Sequence, residues 1–224
     1  MWAGLVETKR NPMSLVTVRG ASRRTREPHN LTVEQFHRRR AELKPPFDTM
    51  ALMAVCLGLR VSELLALRWS DIDWLIGKIS VKRGIVRQIV DDVKTDSSRK
   101  SLAIDKELLT VLQGWKQQTQ FSADDDWIFA SPLKLGRLPY SYTGFWRELD
   151  RAAKAAGIGH LGTHAFRHTY RSWLDAVGTP LSVQKSLMRH STIQMTMDTY
   201  GTVITNEMEQ AHGKVVQLAL SKPN

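Results

Sequence analysis

The chain has 224 residues, of which 42% are hydrophobic, and it carries a formal charge of +10. This length suits one domain of about 200 residues with an appendage at one end, and the excess of positive charge indicates a polyanionic partner. We find no signal peptide and no apolar run long enough to span a bilayer, and the single cysteine, Cys56, excludes an internal disulfide. We therefore expect a cytoplasmic protein with no membrane partner, and not a secreted disulfide scaffold.

The first 22 residues show little periodicity and contain Asn11-Pro12 and Gly20, which is typical of a linker. Residues 1–40 hold nine Lys/Arg against three Asp/Glu, so +6 of the net charge lies there. Such an arm either contacts a polyanion or is a solvated basic tail, and the sequence favours neither. The globular part is predicted to begin near Arg23.

The first predicted helix starts at a capping box, Thr32-x-x-Gln35, and runs to about residue 43, where two prolines end it. An almost entirely apolar segment, 47–59, predicts a buried helix that ends at Gly58. Ser62 is then predicted to cap a short helix whose leucines at 64, 65 and 67 face the core. Arg60 is expected in the bend between these two buried helices.

Between residues 78 and 104 short apolar stretches alternate with polar ones, which predicts a small three-stranded antiparallel sheet with a basic turn at 93–100. Helical patterns resume at 105–118, 142–156 and 164–177, and shorter ones follow at 183–189 and 192–200. The predicted class is mainly α with a small three-stranded antiparallel β-sheet, an α+β fold.

Three residues in these elements suit phosphate binding. His164 and Arg167 are three residues apart on one predicted helix, so both side chains project from the same face. Arg60 comes from a separate bend, and two guanidinium groups from different elements can clamp the oxygens of one phosphodiester. Donors held in this way stabilise the charge that develops in a pentavalent transition state.

Three further residues extend this constellation. His190 adds a possible donor, Lys94 on the basic turn can protonate a leaving oxygen, and Tyr200 is a nucleophile whose ordinary pKa near 10 requires cationic neighbours. Each residue also has a structural alternative: Arg60 can pair with Glu63, and the histidines and the tyrosine can be packing residues. The order and spacing of the set, rather than any single residue, favour the catalytic interpretation.

Four segments of the chain resemble the tyrosine recombinases, the family of phage-type integrases. The segments are G-L-R-V-S-E-L-L-A-L at 58–67, K-T-D-S-S-R-K at 94–100, H-A-F-R-H-T at 164–169 and R-H-S-T-I-Q-M-T-M-D-T-Y-G at 189–201. The resemblance implies the following roles: Arg60 and Arg167 bind phosphate, His164 and His190 are the two histidines, Lys94 is the hairpin lysine, Tyr200 is the nucleophile, and Glu63 orients the arginine site. One departure is Arg189, which replaces a usually small residue and leaves these roles in place.

The resemblance also implies a domain organisation. Residues 23–224 match the catalytic domain, with a C-terminal tail at about 203–224, and residues 1–22 resemble the end of a core-binding domain that such integrases carry ahead of it. The apolar positions of the tail, between Val203 and Leu220, are expected to pack either on a neighbouring protomer or on their own domain.

The activity that the resemblance implies is site-specific recombination without metal or other cofactor. Tyr200 attacks a DNA phosphate, a 3′-phosphotyrosyl link forms and a 5′-hydroxyl leaves. The implied partners are double-stranded DNA at attachment-type sites and other protomers assembled on that DNA as a tetramer.

Two alternatives stay open at this stage. A metal-dependent nuclease would rely on Asp71-x-Asp73 and the acidic run at 124–126, which more simply suit loops. A non-catalytic DNA-binding module would bind DNA through the same basic residues without cutting it.

Overall fold

The computed structural model describes residues 30–92, 100–188 and 206–221. Within them the chain forms eight α-helices and five short strands. The helices are α1 (Val33–Ala41), α2 (Phe47–Leu57), α3 (Val61–Leu65), α4 (Lys106–Gln118), α5 (Tyr142–Ala155), α6 (His164–Ala176), α7 (Leu181–Met188) and α8 (Asn206–Leu220). The predicted helix at 192–200 lies outside the described residues.

Helix α2 lies at the centre of the domain, as its uniform apolarity predicts. Every residue from Thr49 to Leu57 is buried, and the helix contacts α1, α3, α4, α5, α6 and α8. It ends where Gly58 adopts a left-handed conformation with φ of 57°, the usual way for a glycine to stop a helix. The predicted buried helix and its end at Gly58 are confirmed.

Helix α1 begins at the predicted capping box. The Thr32 hydroxyl accepts a hydrogen bond from the Gln35 amide at 3.2 Å, and the Thr32 amide donates to the Gln35 side-chain oxygen at 3.0 Å. Two of the otherwise unpaired N–H groups of the first turn are satisfied in this way.

A buried arginine fixes the other end of α1. Arg39 is 1% exposed, and its guanidinium donates to the backbone carbonyls of Leu149 and Leu161. The guanidinium carbon also lies 5.1 Å from the centre of the Phe166 ring. Burial lowers the pKa of Arg39 to about 10, so the side chain stays charged at neutral pH. It ties α1 to the middle of α5 and to the loop that precedes α6.

The strands are β1 (Ile72–Asp73), β2 (Lys78–Val81), β3 (Arg83–Val86), β4 (Ile89–Asp92) and β5 (Lys100–Ala103). A three-stranded antiparallel sheet has the order β1-β2-β5, and β3 and β4 form a separate antiparallel hairpin. The prediction of a small three-stranded antiparallel sheet is confirmed, but the apolar segment 85–90, predicted as one of its strands, forms the separate hairpin, and β1 takes its place in the sheet. A two-residue strand is too short to show a pattern, whereas the hairpin contains two pairs of β-branched apolar residues, Ile85-Val86 and Ile89-Val90.

Helix α8 packs on its own domain, which is one of the two placements left open for the tail. Its residues Val215, Val216 and Ala219 are fully buried against α1, α2, α6, α7 and β5. None of the helices in the described ranges combines the length and hydropathy needed to cross a membrane.

Candidate functional site

A cleft of about 500 Å³ opens where three helices begin. Its walls come from the first turn of α3, the turn of the β3–β4 hairpin, and the first residues of α5 and α6. Helix N-termini carry unpaired N–H groups and a partial positive charge, and they favour anions. Arg60 and His164 both line this cleft.

Arg60 is held in place by a buried carboxylate. Glu63 accepts hydrogen bonds from the Arg60 backbone amide at 2.8 Å and from Arg60 Nη1 at 2.9 Å. The Glu63 side chain is 5% exposed, whereas that of Arg60 is 44% exposed. The pair therefore presents a fixed guanidinium at the wall of the cleft, supported by a charge-assisted hydrogen bond.

The N-cap of α3 is Arg60 and not Ser62, so that prediction was wrong. Ser62 lies inside the first turn. The Glu63 carboxylate reaches back to the Arg60 amide, which satisfies the N–H group that a serine cap would leave unpaired. The prediction that Leu64, Leu65 and Leu67 face the core is confirmed, because each is at most 2% exposed.

His164 and Arg167 occupy the first turn of α6 but have different surroundings. His164 is exposed at the cleft. Arg167 is only 7% exposed, and its Nη1 and Nη2 atoms donate to the backbone carbonyls of Gly58 and Met188. Arg167 thus links the end of α2 to the end of α7.

Gly58 can occupy its position only because it lacks a side chain. A Cβ atom there would lie 2.3 Å from Cδ1 of Tyr170, a buried residue of α6, and the left-handed backbone also disfavours other residues. The close packing of Tyr170 on Gly58 fixes the carbonyl that receives Arg167. The sequence shows the glycine as a helix stop but gives no signal of the tyrosine behind it.

The described structure therefore brings Arg60 and His164 together at one cleft, with Glu63 buried behind Arg60, and it places Arg167 next to the bend that carries Arg60. The other predicted site residues, Lys94, His190 and Tyr200, lie outside the described residues.

The helix predicted from residue 142 is confirmed, but sequence reasoning did not assign its first residues to the site, where Ser141, Tyr142 and Thr143 line the cleft. Ser141 caps the helix by accepting a hydrogen bond from the Gly144 amide at 3.0 Å, and Thr163 donates to the Tyr142 hydroxyl at 3.4 Å. The Ser-Tyr-Thr run at a helix start was the available signal. Two residues of the hairpin turn, Arg87 and Gln88, were missed as well.

The acidic residues considered for a metal site have structural partners. Asp71 is 4% exposed and accepts from Arg83 Nη2 at 2.6 and 2.7 Å. The Asp73 carboxylate accepts from the backbone amides of the following turn, and Asp124 pairs with Lys116 at 3.5 Å. In the described part of the chain no group of His, Cys, Asp and Glu has the arrangement of a metal site. These acids act as caps and ion pairs in the loops.

Residues 47–207 match the Phage integrase family, and the chain belongs to this family of tyrosine recombinases. It is 28% identical over 184 residues to the ICEBs1 integrase of Bacillus subtilis, a match that covers 77% of this chain and 49% of that protein. It is 27% identical over 186 residues to a XerC-like tyrosine recombinase of Caldanaerobacter subterraneus, covering 71% of this chain and 46% of that protein. The chain spans about half the length of these curated relatives.

Solved structures show the same fold. A Tn1549 transposon integrase in complex with a circular intermediate DNA superposes with a TM-score of 0.66 at 20% identity, covering 85% of this chain and 66% of that one. An integrase from mycobacterium phage Brujita superposes with a TM-score of 0.65 at 18% identity, covering 92% of this chain and 63% of that one. The fold expected from the resemblance is confirmed.

Proposed function

We propose that the chain acts as a site-specific recombinase that breaks and rejoins DNA through a 3′-phosphotyrosyl intermediate. The observation that carries the proposal is the cleft, where Arg60 on a buried Glu63 and His164 at a helix N-terminus converge in a chain of the Phage integrase family. In this proposal residues 23–224 are the catalytic domain, with the tail at about 203–224, and residues 1–22 are a linker. The protein acts in the cytoplasm.

The geometry supports a phosphate-binding role for Arg60. Its contact with Glu63 uses the backbone amide and Nη1, so other N–H groups of the guanidinium are available to a phosphate oxygen. Because the Glu63 carboxylate already orients the Arg60 guanidinium, that side chain loses less conformational entropy when the phosphate binds. Replacing Glu63 with glutamine would remove the charge and one of the two acceptors, because the NH2 group of the amide cannot accept a hydrogen bond from Arg60.

Arg167 and His164 complete the anion site in this proposal. The Gly58 and Met188 carbonyls hold the plane of the Arg167 guanidinium, while His164 donates from the rim of the cleft. A fixed set of donors stabilises the transition state without having to reorganise during the reaction.

The covalent step uses residues assigned from the family resemblance. Tyr200 loses its hydroxyl proton to solvent, and its phenolate oxygen attacks phosphorus and forms the phosphotyrosyl bond as the bond to the 5′ oxygen breaks. Lys94 supplies a proton to that leaving oxygen and later regains one from solvent. His190 adds a donor to the phosphate. Attack by a 5′-hydroxyl of the partner duplex reverses the step and joins the strands, so no metal or ATP enters the scheme.

Double-stranded DNA is the proposed substrate. The net charge of +10 suits a polyanion, and similar folds are named as complexes with DNA, among them the Tn1549 transposon integrase and a XerH recombinase bound to its difH substrate. Attachment-type sites and a tetramer assembled on DNA follow from the resemblance and belong to the same proposal.

The test is incubation with nicked duplex DNA in EDTA, followed by denaturing electrophoresis to detect protein joined covalently to DNA. The proposal predicts an adduct that disappears in Tyr200→Phe while DNA binding persists. Cutting that needs a divalent metal and leaves no adduct would support the nuclease alternative. Binding without an adduct on any nicked substrate would support the non-catalytic module.

Lys94 has a separate test. Lys94→Ala should slow cleavage of a normal phosphodiester, and a substrate with a sulfur leaving group should restore the rate, because a thiolate needs little protonation. If the sulfur substrate is cleaved as slowly as the oxygen one, Lys94 is not the proton donor.

A further inference from the structure

We propose that the tip of the β3–β4 hairpin is a DNA-contacting wedge, which inserts the apolar pair Val86 and Ile89 into a groove of the duplex beside the cleft. This inference rests on the proposed function, since it takes duplex DNA as the molecule whose phosphate enters the cleft. It concerns a turn separate from the basic turn that carries Lys94.

The first observation is an exposed apolar pair. Val86 and Ile89 lie directly opposite each other across the hairpin and are 64% and 70% exposed, whereas the neighbouring Ile85 is 5% exposed. The outer face of a solvated hairpin normally carries polar side chains. Two large aliphatic residues on that face, at the end farthest from the core, indicate a surface that is covered when the protein binds its partner.

The second observation is a strained turn. Arg87 and Gln88, the two turn residues, have φ of 51° and 64°. A turn with both central residues in this region is the type that favours Asn-Gly, because other side chains are strained there. Arg87 and Gln88 have long polar side chains although the turn strains them, which indicates that these side chains have a function.

The third observation is an unused polar group. The side-chain oxygen of Gln88 is buried and has no hydrogen-bond partner in the described structure, although Gln88 lines the cleft with Arg60 and His164. A buried polar atom without a partner costs free energy unless a ligand supplies one. The oxygen therefore offers an acceptor to a donor on the bound molecule, such as the amino group of a base edge, once binding uncovers it.

The base of the hairpin is anchored, so the tip is held in a fixed position. Nη2 of Arg83, at the start of β3, donates to both carboxylate oxygens of the buried Asp71. The Lys82 ammonium lies 3.4 Å from the same carboxylate. The strand also packs on α3, where a Cβ atom at Gly84 would lie 3.9 Å from Ser62. Because α3 starts at Arg60, the hairpin and the phosphate-binding arginine share one rigid support.

Duplex DNA is the occupant that fits these features together. The turn residues line the same cleft as the proposed phosphate site, so a duplex with a phosphate in the cleft presents the edge of a groove to the hairpin. Aliphatic side chains that enter a groove press between base steps and bend the duplex, while the neighbouring Arg87 contacts phosphate or a base edge.

Two variants of the intact chain test the wedge separately from folding. The turn variant replaces Arg87 with Asn and Gln88 with Gly, which relaxes the backbone. The face variant, Val86→Thr with Ile89→Thr, keeps the β-branched shape and removes the apolar surface.

The matched control replaces another exposed apolar pair, Leu75 and Ile76, with threonine. These residues are 98% and 62% exposed and lie in the turn between β1 and β2, outside the cleft.

The measurement is fluorescence anisotropy with an end-labelled mixed-sequence duplex over a range of salt concentrations, together with thermal unfolding. We expect the turn variant to be at least as stable as the parent and yet to bind DNA about tenfold more weakly, a factor typical of one lost specific contact. The face variant should bind more weakly with an unchanged salt slope, because it removes no phosphate contact. The control should bind like the parent.

Parental affinity in both hairpin variants would overturn the wedge. So would a loss of affinity that appears only where a second protomer joins the first on DNA, because the covering surface would then be another copy of the chain. The adduct assay is independent of this result: failure to form a phosphotyrosyl link would sink the proposed chemistry, whereas an intact adduct with unaffected hairpin variants would sink the wedge alone.

Discussion

Gly58→Ala is the substitution whose cost can be worked most directly from the structure. Two effects add at this position. An alanine in the left-handed region costs roughly 1–2 kcal/mol, and its Cβ would lie 2.3 Å from the Tyr170 ring, an overlap that typically costs about 1–3 kcal/mol to relieve in a packed core. We expect a total loss of about 2–5 kcal/mol in the free energy of unfolding.

Two other glycines separate the effects. Gly157 and Gly178 have φ of 68° and 73°, and a Cβ at either would meet nothing within 4 Å. Alanine at these sites should therefore show the backbone cost alone, about 1–2 kcal/mol. The gap between Gly58→Ala and these controls measures the overlap with Tyr170.

Urea unfolding followed by tryptophan fluorescence measures all three variants under the same conditions. A double variant completes the design: in a Tyr170→Leu background, Gly58→Ala should cost less than in the parent, because the ring that it strikes is gone. Equal costs at positions 58, 157 and 178 would refute the reasoning. Such a result would show that the backbone at Gly58 can move away from Tyr170, and that this packing does not fix the Gly58 carbonyl that accepts from Arg167.

Three further predictions concern the scaffold around the site. Arg83→Met should destabilise the protein by about 3 kcal/mol because it strips the main partner from a buried carboxylate, whereas Lys82→Met, whose cation is exposed, should cost less than about 1 kcal/mol in the same urea titration. Lysine and histidine partners lower the pKa of Asp150 in the folded protein, so the ionised carboxylate stabilises the fold fully above its unfolded pKa and loses this effect as the pH falls through its folded pKa. Asp150→Asn should therefore lower Tm at pH 7 and leave it unchanged in acid. A Tm difference that stays constant with pH would contradict this. Burial raises the pKa of the Cys56 thiol, so it should resist alkylation until the protein unfolds, and rapid labelling of the native chain would show that α2 opens.

The sequence predicted the features that depend on local signals. The capping box at Thr32 and Gln35, the buried α2 and its stop at Gly58 each need only a few neighbouring residues to specify them. Arg60, Glu63 and His164 were identified from spacing and resemblance; the structure places Arg60 and His164 in the lining of one cleft and Glu63 in contact with Arg60.

The features that were missed depend on contacts between distant parts of the chain. The apolar residues of 85–90 mark an extended segment but do not say which strand it pairs with, so the separate hairpin was predicted as part of the sheet. Residue preference pointed to Ser62 as a helix cap, but the N-cap lies two residues earlier at Arg60, where the Glu63 carboxylate accepts a hydrogen bond from the Arg60 amide. The packing of Tyr170 on Gly58 joins two helices far apart in sequence, and no local pattern encodes it.

The docking of α8 makes the C-terminal helix a part of the hydrophobic core. Val215 and Val216 are fully buried, and α8 contacts α1, α2, α6, α7 and β5. Transfer of α8 to a neighbouring molecule would therefore expose the apolar faces of these elements to water. An exchange in which each molecule receives the α8 of another would keep those faces covered.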